Sequence, residues 1–137
     1  MSAKPSREEV AARLTRSPYH QWLGLELASL DGEWIEIRMP WRDEVVSRND
    51  PVPLVHGGVL AALIDLAGLQ AVYAQGGKPN GTAYMHVDYH RPATRPPFTV
   101  RARPLKLGKS LSTAEAFVHD AEGQLVASGR GGYPTGS

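Results

Sequence analysis

The sequence has no cysteine, which excludes disulfides, thiolate metal sites and a cysteine nucleophile. Aromatic residues are scarce at 7%. An apolar ligand pocket therefore has few ring candidates, Trp22, Trp41 and Tyr73, and core packing competes for all three. There is no excess of one charge: the net value is +1, too little for the dense basic face that nucleic acid requires. No Gly-x-Ser-x-Gly elbow, phosphate loop or dinucleotide fingerprint occurs, so serine-hydrolase and nucleotide chemistry lack support. Met1 to Val10 carries charge and no apolar run, so the expectation is a cytoplasmic address without a secretory leader.

What remains is an ordinary globular composition, 42% apolar and 21% charged over 137 residues. That length suits one domain, residues 1–137, with a single core and a helical extension over 1–17. Charge is uneven along the chain: residues 1–90 hold 8 Lys/Arg against 11 Asp/Glu, and residues 91–137 hold 7 against 3. The basic C-terminal third suits either the phosphates of one anionic ligand or plain solvation.

Local patterns assign the elements. Ser6-Arg7-Glu8-Glu9 has capping-box spacing and predicts a helix to about Arg16, ended by Ser17-Pro18. Leu23, Leu25 and Leu27 alternate with Gly24, Glu26 and Ala28, a strand period, and Asp31-Gly32 reads as a hairpin turn. Ile35, Ile37 and Met39 predict the next strand, closed by Pro40. Residues 42–55 are polar and proline-containing and read as a loop.

Gly57 to Gly76 is apolar on every side except Asp65 and Gln70, which predicts a helix buried all round. Its length would also span a bilayer. A mid-span carboxylate without flanking basic clusters, in a chain that otherwise alternates like an antiparallel sheet, favours a core helix and no membrane partner. Strand patterns follow at about 82–91, 98–107, 111–119 and 124–133, the last two joined by a turn at Asp120 to Gly123. The order predicts an α+β arrangement, an antiparallel sheet layered over the long helix.

The strongest chemical signal is His56-Gly57-Gly58 opening that helix and Asp65 nine residues after His56. Glycines at a helix start allow close backbone approach, and the free N–H groups with the helix dipole favour developing negative charge. The Gly57 N–H, with Gly58 beside it, is the candidate oxyanion donor; ordinary helix entry is the plainer alternative. Asp65 in apolar surroundings must find a partner or change its protonation. It is the candidate general base or nucleophile, or else a structural carboxylate. Gly57 and Asp65 are separated by about 12 Å along one straight helix, so one copy cannot bring both to one carbonyl. Two helices packed antiparallel about a two-fold can, which predicts a homodimer with two composite sites.

His-Gly-Gly, six residues, then Asp, after a loop offering Asn49, resembles the hotdog-fold acyl-coenzyme A thioesterases, more narrowly the phenylacetate-pathway type. The resemblance covers about residues 18–133, through the element order, Tyr89-His90-Arg91-Pro92-Ala93, and Leu107-Gly108-Lys109-Ser110. It implies a sheet of five to six strands wrapped around the central helix, hydrolysis of an acyl-CoA, and dimers pairing into tetramers. No cofactor is implied, coenzyme A being part of the substrate. His56 and Asn49 then support catalysis, although Asp50-Pro51 and Pro53 disturb the loop register, and Thr82 stands where relatives place a hydroxyl near the carboxylate. Leu66 replaces a small polar residue found after the carboxylate in many relatives. Arg91, Lys106, Lys109 and Ser110 are candidate phosphate or pantetheine contacts, with Gly108 permitting close backbone approach.

Three other readings compete. His86, Asp88 and His90 share a strand face and form a candidate metal set, or simply the polar outer face. A hotdog hydratase or dehydratase would need an acid/base partner for Asp65, and none is evident. A non-catalytic acyl-CoA binding or sensing module would keep the fold and lose turnover, which the presence of Asp65 opposes. The acyl group itself stays open among aryl-acetyl, aromatic and medium-chain fatty thioesters.

Overall fold

Local chemistry fixes most element boundaries. In the computed structural model, which describes residues 3–136, Ser6 caps α1 (Arg7–Arg16) through both halves of a capping box with Glu9. Met1, Ser2 and Ser137, at the ends of the expected domain and extension, lie outside the described residues. Ser17 ends α1 and also caps α2 (Pro18–Leu23), with Pro18 at its first turn and Gly24 closing it at φ 71°. This short helix corrects the expected strand at Leu23. Strand β1 begins only at Glu26 (Glu26–Asp31), and an irregularity between Leu27 and Ser29 shifts its phase, so that Leu27 and Leu30 both pack on the core.

The Asp31-Gly32 turn leads into β2 (Trp34–Met39), where Ile35, Ile37 and Met39 are buried. The expected loop over 42–55 is more ordered than its composition implies. It holds a 3₁₀ turn (Asp43–Val45) and a small hairpin of β3 (Val46–Arg48) and β4 (Leu54–Val55). Buried Val45 and Val55 anchor it: the His56 N–H donates to the Val45 carbonyl at 2.8 Å and the Val55 N–H to the Ala93 carbonyl at 3.0 Å.

The long helix α3 (Gly57–Ala74) is followed by β5 (Tyr84–Tyr89), β6 (Phe98–Lys106), β7 (Leu111–His119) and β8 (Leu125–Pro134). Six antiparallel strands run in the order β1-β2-β6-β7-β8-β5. The concave face wraps α3. Phe98, Val100 and Ala102 of β6 and Ala114, Ala116 and Val118 of β7 are buried beneath it, the small residues letting the helix come close. Leu63 and Ile64, each at most 1% exposed, contribute about 1.5–3 kcal/mol apiece by burial. The opposite face is polar, with Arg103 held by Glu115 at 2.7 Å and Glu33 at 2.8 Å. Those hydrogen bonds raise the Arg103 guanidinium's pKa.

One expectation needs correction. In a single copy α3 is not buried all round: Gly58 is exposed, and Ala62, Asp65 and Leu69, at spacings of four, three and four, are only half-buried. That row is the face of α3 that the chain's own sheet leaves uncovered. The one helix among the described residues long and apolar enough to cross a membrane is this same α3, and it packs on the sheet and on α1.

Candidate active site

At the start of α3 the sequence builds an electropositive backbone site. His56 is the N-cap, and its Nδ1 accepts the Gly58 N–H at 2.8 Å. An accepting Nδ1 carries no proton, so the neutral ring holds its proton on Nε2. Gly58 is thereby corrected as a donor, because its N–H is already used. Gly57, at the first helical position, has no intrahelical acceptor for its N–H. Its carbonyl accepts the Tyr89 hydroxyl at 2.8 Å, and the Tyr89 ring lies beside its Cα. Gly57 opens into a cavity of about 350 Å³ with Leu54, Leu60, Tyr89 and Arg91 among its walls.

Two turns further along, Asp65 has found its partner. Thr82 donates its hydroxyl to Asp65 Oδ1 at 2.7 Å, bringing together two residues that the family resemblance had set near each other. The Asp65 carbonyl accepts the hydroxyl of Tyr133 at 3.0 Å. Tyr133 is fully buried, and Gly68 and Gly131 make room for it, since a Cβ at either would overlap the hydroxyl. Burial, and secondarily the Asp65 charge, pushes the Tyr133 phenol pKa well up, so it stays a donor. Tyr133→Phe is expected to cost about 1 kcal/mol of stability and to lower kcat more than it changes KM, measured by thermal unfolding and steady-state kinetics. An unchanged kcat would show that this contact does not position Asp65.

The two groups stand at opposite ends of the molecule. Strand registers align Tyr84 with Gly132, Thr113 and Lys106 at one end, and Tyr89 with Ala127, Val118 and Val100 at the other. Thr82 and the Lys106–Ser110 turn therefore share one end, and Arg91 lies at the other with Gly57. Arg91 and the Lys106–Ser110 turn, the expected phosphate or pantetheine contacts, thus stand at opposite ends of one copy. Gly108 has a structural explanation. Its N–H donates to Ser112 Oγ at 3.1 Å, its carbonyl accepts from Thr135 at 2.8 Å, and a Cβ there would collide with the Leu111 carbonyl. Lys106, Lys109 and Ser110 are exposed around it.

Asn49 sits exposed between β3 and β4, and no hydrogen bond ties it to His56, Gly57 or Asp65 among the described residues. His86 Nε2 meets Asp88 at 3.1 Å, whereas His90 Nε2 meets Ser128 Oγ at 2.8 Å. No three metal-ligating groups gather among the described residues. Trp22 lies under Arg42 and stacks on Tyr19, the Trp41 indole donates to Asp43 at 2.7 Å, and Tyr73 lies under Arg13. None of the three lines the Gly57 cavity. Leu66 and Gln70 are buried, Gln70 with an unpartnered Oε1. Tyr133's role leaves no mark in the sequence, because it depends on two distant glycines.

Comparison with known proteins places the fold and the family. The family model described as "Thioesterase superfamily" matches residues 53–127, which hold α3 and strands β5, β6 and β7. The solved structure of a thioesterase-superfamily protein is 43% identical, covers 92% of this chain and 96% of its own, and superposes with a TM-score of 0.82. The medium/long-chain acyl-CoA thioesterase YigI of Escherichia coli is 28% identical over 134 residues, 87% of this chain and 86% of YigI. A thioesterase of Haemophilus influenzae, 24% identical, shares the fold with a TM-score of 0.82, over 98% of this chain and 92% of its own. With a six-stranded antiparallel sheet around a central helix and a family match across more than half its length, the chain belongs to the thioesterase superfamily, the hotdog-fold thioester hydrolases.

Proposed function

We propose that the chain hydrolyses acyl-coenzyme A thioesters in two equivalent sites, each shared between two copies. The observation that carries this reading is the placement of a free Gly57 N–H and an Asp65 carboxylate on one helix, at opposite ends of strand β5. β5 is an edge strand, and Tyr84 and Tyr89 on it are 51% and 54% exposed. An unpaired edge is a template for another strand. Pairing β5 antiparallel with its own copy reverses the ends, bringing the Thr82–Asp65 end of one subunit to the Tyr89–Gly57 end of the other. The same operation supplies a cover for the half-buried row on α3. Association of such dimers into tetramers rests on the family resemblance alone.

In that composite site the thioester carbonyl oxygen points at the Gly57 N–H, which stabilises the negative charge that develops as the carbon becomes tetrahedral. Thr82 occupies Oδ1 of Asp65 and leaves Oδ2 for the reaction. As a base, Oδ2 takes a proton from water while the water oxygen bonds to the carbonyl carbon; the C–S bond then breaks and the thiolate recovers the proton. As a nucleophile, Oδ2 bonds to that carbon, the thiolate leaves, and water hydrolyses the mixed anhydride. Thiol release from aryl-acetyl, benzoyl and straight-chain acyl-CoA tests the reading. Turnover of at least one class is expected, and silence across all three would contradict it.

A further inference from the structure

The cavity at Gly57 adjoins a second cavity of about 410 Å³, with Leu54, Arg91 and Pro92 lining both. Leu54, Leu60 and Pro92 give the first an apolar wall beside Gly57, and the second holds three arginines and one aspartate. Arg48, at the end of β3, and Arg91 face the second cavity with Arg95 and Asp120. Arg95 is matched by Glu122 at 2.6 Å. Asp120 turns Oδ1 to the N–H groups of Glu122 and Gln124, both at 2.9 Å. Among the described residues no carboxylate pairs with Arg48 or Arg91. Two unmatched guanidiniums in a cleft, beside apolar Val52 and Leu54, suit an anion with several oxygens at the end of an uncharged arm.

We propose that Arg48 and Arg91 form the subsite for the phosphate-bearing end of coenzyme A, so that the carrier lies along the subunit that supplies Gly57. This rests on the acyl-CoA reading above, and it gives the Lys106–Ser110 turn no part in holding those phosphates. The pantetheine arm then runs from the Gly57 cavity past Leu54 and Pro92 to the arginines. Arg48 carries no motif; only the fold of the β3–β4 hairpin brings it opposite Arg91.

Calorimetric titration of coenzyme A into the wild type and into Arg48→Gln, Arg91→Gln and Lys109→Gln tests the subsite without turnover. Each arginine change is expected to weaken binding roughly tenfold, the scale of a lost charge-assisted hydrogen bond, with Lys109→Gln close to wild type. In kinetics, the preference for an acyl-CoA over the N-acetylcysteamine thioester of the same acyl group is expected to fall by a similar factor in Arg48→Gln. Loss at Lys109 instead of Arg48, or equal loss on both thioesters, overturns the proposal. Coenzyme A held through Arg48 without hydrolysis of any thioester keeps the subsite and removes the activity. Hydrolysis of the N-acetylcysteamine thioester with no measurable binding of coenzyme A does the reverse.

Discussion

Asp65→Asn is expected to lower kcat by roughly 10²–10⁴-fold, the range for loss of a positioned base or nucleophile, while leaving fold and association state intact. The change removes charge and keeps shape. The amide oxygen still accepts from Thr82, as Asp65 Oδ1 does at 2.7 Å, and the main-chain bond from Tyr133 is untouched. What disappears is the basic second oxygen. Thiol-release kinetics with thermal unfolding as control check this. A kcat within about twofold of wild type would remove the carboxylate from the reaction, since the roles assigned to it carry at least two orders of magnitude.

The proposed oxyanion donor, the Gly57 N–H, allows a comparably large test. Gly57 is the first residue of α3, where proline is tolerated because the N–H has no helical partner. His56 before it, at φ −58° and ψ 132°, already has the extended conformation that proline requires of its predecessor. Gly57→Pro therefore deletes the donor with little demand on the helix, and kcat is expected to fall roughly 10²–10³-fold, the cost of one lost oxyanion donor. Gly57→Ala is the control. It keeps the N–H, and its Cβ would stand an ordinary 3.4 Å from the Tyr89 ring, so most activity is expected to survive. Equal loss in both variants would point to crowding and not to a missing hydrogen bond.

Much of the fold was legible because short-range physics decided it. Strand alternation located β2, β6, β7 and β8 to within a residue or so, the Ser6 capping box opened α1 where expected, and the turns at Asp31-Gly32 and 120–123 formed. Helix α2 was hidden because six residues are too few to show a helical period, and Leu23 and Leu25 are buried in either conformation. The β3–β4 hairpin was hidden because its order comes from tertiary contacts of Val45 and Val55 with distant backbone. In the candidate site, the signals that could be read were breaches of local pattern: glycines opening an apolar helix and one carboxylate inside it. Thr82 was reached through the family resemblance. Tyr133, Tyr89 and Arg48 broke no pattern. Tyr133 looks like any aromatic ending a strand, and its bond to the Asp65 carbonyl exists only because Gly68 and Gly131 admit its hydroxyl.

The proposed composite site takes Gly57 from one copy and Asp65 from another. Mixing the two inactive variants, Asp65→Asn and Gly57→Pro, after reversible dissociation or by co-expression tests it directly. Random pairing makes half of the dimers mixed, and each mixed dimer has one site with both lesions and one with neither, so about a quarter of wild-type activity is expected to return. If both groups acted within one chain, every site in the mixture would carry a lesion. Activity would then stay at the level of the separate variants, contradicting the shared site.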